Sequence, residues 1–76
     1  MLYKISYINY KTNEWRTLGN YSALSAIKAV ERAITKDLPD YDFGKLHGTR
    51  RPTKGRIVFD YHNGMLCAEK YEKPEE

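Results

Sequence analysis

The alternation of apolar and polar side chains predicts a β-hairpin at the start of the chain. In the segment 2–10, Tyr3, Ile5 and Tyr7 are separated by single polar residues, which is the period of a half-buried strand. A polar run follows and predicts a turn. The run 15–18 then begins a second strand, which a glycine and an asparagine are expected to end.

The period then changes to between three and four residues, which predicts an amphipathic helix over 23–34. Ser22 is placed to cap its first turn, because a serine side chain can accept a hydrogen bond from an exposed amide there. Pro39 prevents any continuation, since proline lacks the amide proton that a helix interior needs. The apolar stripe of this helix consists of Ala23, Ala26, Ile27, Val30, Ala33 and Ile34.

A second hairpin is predicted over 56–71, where Asn63-Gly64 lies between two alternating apolar runs. This dipeptide favours a type I′ turn, in which both central residues have positive φ. A two-residue loop at that place sets the register of the two strands. The expected opposite pairs are His62 with Met65, Tyr61 with Leu66, Asp60 with Cys67, and Phe59 with Ala68.

Together these elements predict an α+β fold in the order ββαββ. Two hairpins would form an antiparallel four-stranded sheet, with one helix packed on one of its faces. Residues 1–71 would form a single domain, since a chain of 76 residues has room for one core. The segment 72–76 is acidic and contains a proline, so we expect a disordered acidic tail there.

One helix can cover only one face of such a sheet. The covered face is expected to hold Tyr3, Ile5, Tyr7, Leu18, Ile57, Phe59 and Leu66. The opposite face, here called the open face, is expected to carry Leu2, Lys4, Ser6, Ile8, Tyr10, Trp15, Val58, Asp60, Met65, Glu69 and Tyr71. Its predicted interaction anchors are Tyr10, Trp15, Met65 and Tyr71, because large side chains of this kind supply most of the contact energy at interfaces. Alternatively, the loop 37–55 or the tail folds over this face.

Composition limits the classes of site that the chain can build. The single Cys67 excludes an internal disulfide and fits a reducing compartment, so a cytoplasmic location is expected. One cysteine and two histidines offer no paired spacing of metal ligands, and neither a metal nor a cofactor is predicted. No apolar run reaches transmembrane length, so no membrane partner is expected.

Charge is segregated along the chain. The segment 43–59 carries five cations and no carboxylate, whereas the remaining residues carry eight Lys or Arg side chains against ten acids. The formal net charge of +3 therefore describes a strongly basic segment on a mildly acidic body. Such a local positive field raises the rate of encounter with anions. The predicted anion-binding residues are Lys45, Arg50, Arg51, Lys54 and Arg56.

Most of these cations fall in the segment 37–55, which shows no helix or strand pattern. We expect its second half, 48–55, to project, since it contains no apolar residue to bury. Arginine forks, threonine hydroxyls and glycine-exposed amides suit a phosphate site. The segment is not a nucleotide P-loop, because a leucine follows Gly44-Lys45 where a hydroxyl residue is required. Alternatively, the cations only aid solubility or pair with acids of the same protein, such as Asp37, Asp40 and Asp42.

A catalytic site is considered and rejected. The predicted register places Asp60, His62 and Cys67 on one face of the hairpin, where a thiol nucleophile could in principle be built. However, a carboxylate opposite the thiol raises its pKa, whereas a reactive thiolate needs a positive environment. A flat sheet face also lacks a pocket and oxyanion donors. We therefore predict a binding protein without enzymatic activity.

Two functions remain. The first is a small non-enzymatic protein that contacts nucleic-acid phosphates through the basic segment 45–56, with Trp15 and Tyr10 available for base stacking. The alternative is a protein-binding adaptor or inhibitor, of a kind that phages encode, which covers a site on a larger macromolecule with the open face. The partner would thus be a nucleic acid or an acidic protein surface, and a homodimer through the open face is a further expectation.

Overall fold

The computed structural model describes residues 1–70, so the predictions for Tyr71 and for the tail 72–76 lie outside the described residues. The α+β class is confirmed, with one helix and an antiparallel sheet. The elements are β1 (Leu2–Asn9), β2 (Glu14–Ser22), α1 (Ala26–Asp37), β3 (Leu46–Arg50), β4 (Arg56–Tyr61) and β5 (Gly64–Lys70). The order of strands across the sheet is β2-β1-β5-β4-β3, so β1 pairs with β5 and joins the two predicted hairpins into one sheet.

The sheet has five strands instead of the predicted four, because part of the predicted loop 37–55 forms β3. Every residue of β3 is exposed, and its sequence shows no apolar alternation. It is an edge strand that pairs with β4 alone, with an irregularity between Leu46 and Gly48. Backbone hydrogen bonds hold this strand without burial of its side chains, so the hydrophobic period gives no sign of it.

The hairpin of β4 and β5 forms in a register different from the predicted one. Its turn is His62-Asn63, and neither residue has a positive φ, so the predicted type I′ turn is wrong. Gly64 is required for a close approach, since an added Cβ would lie 2.8 Å from the Ile8 carbonyl oxygen and 2.8 Å from the Phe43 ring. The shift is two residues, which keeps every side chain on its predicted face. The observed pairs are Tyr61 with Gly64, Asp60 with Met65, Phe59 with Leu66, and Val58 with Cys67.

β2 continues through the break that the sequence predicts at 19–20. Ile5 pairs with Gly19 but Ser6 pairs with Thr17, which leaves one extra residue in β2 and forms a β-bulge. Gly19 has a φ of 131°, a region that side chains disfavour. The glycine therefore bends the strand and does not end it.

α1 begins later than predicted. Ser25 is its N-cap, and the Ser25 hydroxyl accepts a hydrogen bond from the Lys28 amide at 3.4 Å. The predicted cap, Ser22, is the last residue of β2 and pairs with Leu2. The bulged extension of β2 includes the predicted cap, and the Ala23 amide that follows donates a hydrogen bond to the Met1 carbonyl oxygen at 2.9 Å. The buried side chains of the helix are Ala26, Ala29, Val30 and Ala33.

The helix covers the predicted face of the sheet. The sheet contributes Tyr3, Ile5, Tyr7, Phe59, Leu66 and Ala68 to the core, with Leu18 and Ile57 partly buried beside them. Phe43, from the loop before β3, completes this core and packs edge-on against Tyr41, with ring centroids 4.6 Å apart. The loop therefore packs on the helix side, and the alternative in which it folds over the open face is wrong.

Candidate functional site

The five predicted anion-binding cations do not form one cluster. Lys45 precedes β3 and Arg51 follows it, so their Cα atoms lie roughly 20 Å apart along an extended strand. Lys54 shares the turn between β3 and β4 with Arg51. Arg50 and Arg56 lie on the open face, opposite Val58 and Glu69 respectively. The segment that resembles one basic loop in the sequence is thus divided by a strand.

A tight turn carries the exposed cations between β3 and β4. The Arg56 amide donates a hydrogen bond to the Thr53 carbonyl oxygen at 3.2 Å, which places Gly55 at the third position of a four-residue turn. Gly55 has a φ of 81°, as a type II turn requires at that position. The Gly55 carbonyl accepts a hydrogen bond from the Lys70 amide at 2.7 Å. The turn is therefore fixed to the end of β5.

A shallow depression of about 510 Å³ lies beside this turn. No carboxylate of residues 1–70 lines it, and its charged lining consists of Arg51, Lys54, Arg56 and Lys70. We call it the basic depression. Arg51 and Lys54 are exposed and form no ion pair with another described residue. The alternative pairing with acids occurs for two of the five cations, since Arg50 pairs with Asp60 and Arg56 with Glu69, whereas within residues 1–70 no cation pairs with Asp37, Asp40 or Asp42.

Arg50, by contrast, is bonded within the protein. Its guanidinium donates two hydrogen bonds to the Asp60 carboxylate, at 2.8 and 3.3 Å, and contacts the Met65 sulfur at 3.4 Å. The Tyr10 hydroxyl donates to the same carboxylate at 3.3 Å. Burial is the main cause of the raised pKa of Tyr10, and the Asp60 carboxylate raises this pKa further. Two predicted interaction anchors, Tyr10 and Met65, are thus engaged by neighbouring side chains.

Arg56 borders two depressions. On the open face it lines a second depression of about 220 Å³, which we call the Trp15 depression. Arg56 lines both depressions, although the basic depression includes Tyr3 and Ile57 of the covered face and the Trp15 depression lies on the open face. Arg56 also forms an ion pair with Glu69 at 3.4 Å. Besides Arg56, the residues that line the Trp15 depression are Lys4, Ser6, Trp15, Thr17, Cys67 and Glu69.

Trp15 is the most exposed of the predicted anchors within the described residues. Its side chain lies opposite Ile8 on the β1–β2 ladder and is 53% exposed. The indole makes no hydrogen bond or ring contact with any residue of the range 1–70. A small domain gains little stability from an aromatic side chain left in solvent. The exposed ring is therefore available to a ligand.

The residues considered for catalysis do not form the predicted pairing. Asp60 lies opposite Met65 and not opposite Cys67. His62 lies in the turn, where its ring centroid is 5.5 Å from that of His47. Burial raises the pKa of the Cys67 thiol, which opposes formation of a thiolate. In the described part of the chain, no three His, Cys, Asp or Glu side chains are arranged to hold a metal ion.

Sequence reasoning misses two cations of the site. Lys4 lies in β1 and lines the Trp15 depression, and Lys70 ends β5 and lines the basic depression. They approach the turn only because β5 lies between β1 and β4. The signal that could have found them is the strand order, which no local pattern contains.

Among residues 1–70, the one helix has 12 residues and is neither long nor apolar enough to span a membrane. Comparisons of the chain with protein-family models, with curated proteins and with solved structures give no match. Any function must therefore be argued from the site itself.

Proposed function

We propose that this protein binds nucleic acid and that the cations of the turn between β3 and β4 contact its phosphates. The observation that supports this best is the basic depression, whose charged lining within residues 1–70 is four cations and no carboxylate. Arginine forks bind phosphate oxygens bidentately, and lysine adds a compact positive charge. Phosphate is the anion that suits this combination.

The shape of the surface favours a polymer over a small anion. The basic depression is shallow and exposed, so it would bury little of a small ligand. A polymer with one phosphate per nucleotide contacts several cations at once and gains free energy from the counterions it releases. Such contacts position a nucleic acid by its backbone and do not read its sequence. We therefore expect binding with little base preference at the turn.

Arg56 can join this contact because its internal partner is weak. The side chains of Arg56 and Glu69 are 44% and 48% exposed, and their ion pair has a separation of 3.4 Å. Exposed pairs of this kind contribute about 0–1 kcal/mol. A phosphate can therefore compete with Glu69 for this guanidinium at low cost.

A double substitution, Arg51→Glu with Lys54→Glu, tests the proposal. We expect it to lower affinity for a fluorescein-labelled oligonucleotide at least about tenfold at low salt, measured by fluorescence anisotropy. The slope of log affinity against log salt should become shallower by roughly 0.7–0.9 for each phosphate that the variant no longer binds. Both side chains are exposed, so the fold should be retained. Arg50 is unsuitable for this test, because Arg50→Glu would set a second carboxylate against Asp60.

The matched control is Lys11→Glu with Lys36→Glu, which makes the same change of net charge at two exposed lysines outside the basic depression that form no ion pair with a described residue. Its effect on binding should be small. An equal loss of affinity in both double variants would show that only net charge matters and would reject the site at the turn. Displacement of the oligonucleotide by polyglutamate of equal charge would point to an acidic protein surface instead. Absence of any oligonucleotide binding at low salt would reject the proposal.

A further inference from the structure

We infer that the nucleic acid is bound as a single strand and that one unpaired base stacks on Trp15 in the Trp15 depression. This inference rests on the proposed function, which supplies the phosphate contacts at the turn. Base stacking would give the open face a role, since the phosphate contacts at the turn do not involve the exposed indole of Trp15. Stacking on Trp15 would favour single strands over duplexes, whereas phosphate contacts at the basic depression are possible with either.

The Trp15 depression has the chemical groups that a nucleotide requires. The indole forms an aromatic wall at β2, and Lys4 and Arg56 supply positive charge at β1 and β4. The exposed Thr17 hydroxyl lies in the same lining and can bond to a base edge, whereas Ser6 is buried. Trp15 and Arg56 are three strand spacings apart, about 14 Å across the sheet, and four residues apart along the strands, about 13 Å. A base on the indole therefore leaves room for its backbone to reach the guanidinium.

The size of the Trp15 depression indicates that it takes one base of a polymer and not a complete small ligand. Its volume is about 220 Å³, below the roughly 300–1,000 Å³ of pockets that enclose a complete small ligand. In a duplex, the faces of the bases are covered by their stacked neighbours. An exposed indole can reach such a face only where a base is unpaired, which is how aromatic side chains hold single strands.

The charged residues of the two depressions indicate the course that the bound strand takes between them. Arg56 lines both depressions, so a strand that passes around the ends of β4 and β5 can contact the turn and then the open face that carries the indole. Glu69 is the one carboxylate of the described residues in the lining of the Trp15 depression, and Lys4 lies opposite it on β1, so a cation stays beside Glu69 when a phosphate engages Arg56. Arg50 is less available to the strand than Arg56, because its guanidinium makes two hydrogen bonds to Asp60, the shorter of 2.8 Å.

The single tryptophan allows a direct test, since selectively excited indole fluorescence then reports on Trp15 alone. We expect an oligothymidylate of about eight nucleotides to quench this fluorescence, and a blunt duplex to bind without quenching. By anisotropy, Trp15→Ala should weaken binding of the oligothymidylate about 5- to 100-fold. Trp15→Phe, which keeps a ring, should weaken it less than Trp15→Ala does. Neither variant should alter the salt slope, because stacking releases no counterions.

The matched control is Leu24→Ala, which removes an apolar side chain that is 97% exposed on the helix side of the molecule. This variant should bind as the wild type does. Oligothymidylate binding with unchanged fluorescence and undiminished affinity in Trp15→Ala would overturn the base-stacking inference and leave phosphate binding intact. Equally weakened binding in Leu24→Ala and Trp15→Ala would also overturn it. Failure of the wild type to bind either nucleic acid would reject both proposals.

Discussion

The absence of a side chain at Gly64 allows the close packing that sets the register of the hairpin of β4 and β5. The space of its missing side chain is occupied by the Ile8 carbonyl oxygen and by the Phe43 ring, each 2.8 Å from the position of a Cβ. Both belong to segments far from Gly64 in sequence. One residue thus joins the hairpin, the first strand and the loop before β3 in a single packing arrangement, without any need for positive φ.

Gly64→Ala should therefore lower the free energy of unfolding by about 1–3 kcal/mol, because the added methyl group cannot be accommodated without moving backbone. Urea denaturation followed by circular dichroism measures this. Gly48→Ala is the control, since nothing lies within 4 Å of its added Cβ and its φ is not positive. That variant should be as stable as the wild type or slightly more stable. Equal effects at the two glycines would contradict this account of the register.

Two adjacent arginines show why residue type alone does not define a site. Arg50 is the last residue of β3 and lies beside Asp60, which accepts two hydrogen bonds from its guanidinium. Arg51 lies one position beyond the strand and pairs with no described carboxylate. The sequence predicts both as anion-binding residues and gives no reason to prefer one. The end of one edge strand decides which guanidinium remains available.

At the scale of elements, the start of the helix shows how two neighbouring elements compete for the same residues. The sequence pattern predicts Ser22 as the cap, with Ala23 as the first residue of the apolar stripe. β2 extends to Ser22 because that residue pairs with Leu2 across the sheet, and the next amide, of Ala23, donates a hydrogen bond to the Met1 carbonyl oxygen. The helix therefore begins at Ala26, with Ser25 as its cap.

Ser25→Ala should lower the free energy of unfolding by about 1 kcal/mol, since it removes the side chain that accepts the Lys28 amide. Ser22→Ala is the control and should change stability by less than about 0.5 kcal/mol, because that exposed side chain caps nothing. Thermal unfolding of the two variants under identical conditions compares them directly. A larger effect at Ser22 would place the cap where the sequence pattern alone predicts it.

At the scale of the whole molecule, the loop before β3 is part of the core. Phe43 is 4% exposed and its ring approaches Tyr7, Tyr41 and Tyr61, with centroid separations of 6.1, 4.6 and 5.8 Å. A domain of this size buries a smaller share of its surface than larger domains do. It therefore depends on this ring, which also holds the segment that leads into β3.

Phe43→Ala should lower the free energy of unfolding by about 3–5 kcal/mol, which is a large part of the total stability of a small domain. Phe43→Leu, which keeps most of the buried area, should lower it less. Trp15→Ala removes an even larger aromatic side chain, yet it should change stability little because the indole is 53% exposed. Urea denaturation of the three variants gives the order. A greater destabilisation by Trp15→Ala than by Phe43→Ala would contradict the assignment of these two rings to surface and core.

The amino-acid pattern by itself determined the helix, four of the strands and the face on which each side chain lies. These depend on periods of two and of three to four residues, which neighbours in the chain express directly. A shift of two residues in the second hairpin left those faces unchanged, because it preserved the alternation. Segregation of charge is likewise visible in the sequence, and with it the expectation of an anionic partner.

Only the tertiary structure decided the strand order, the edge strand β3 and which cations share a surface. β3 is held by the backbone of β4, and backbone groups are nearly the same at every position of the chain. Lys4 and Lys70 reach the site because β5 lies between β1 and β4, which brings distant parts of the sequence together. Local periodicity carries no information on such distant pairings, so the site is a property of the folded molecule.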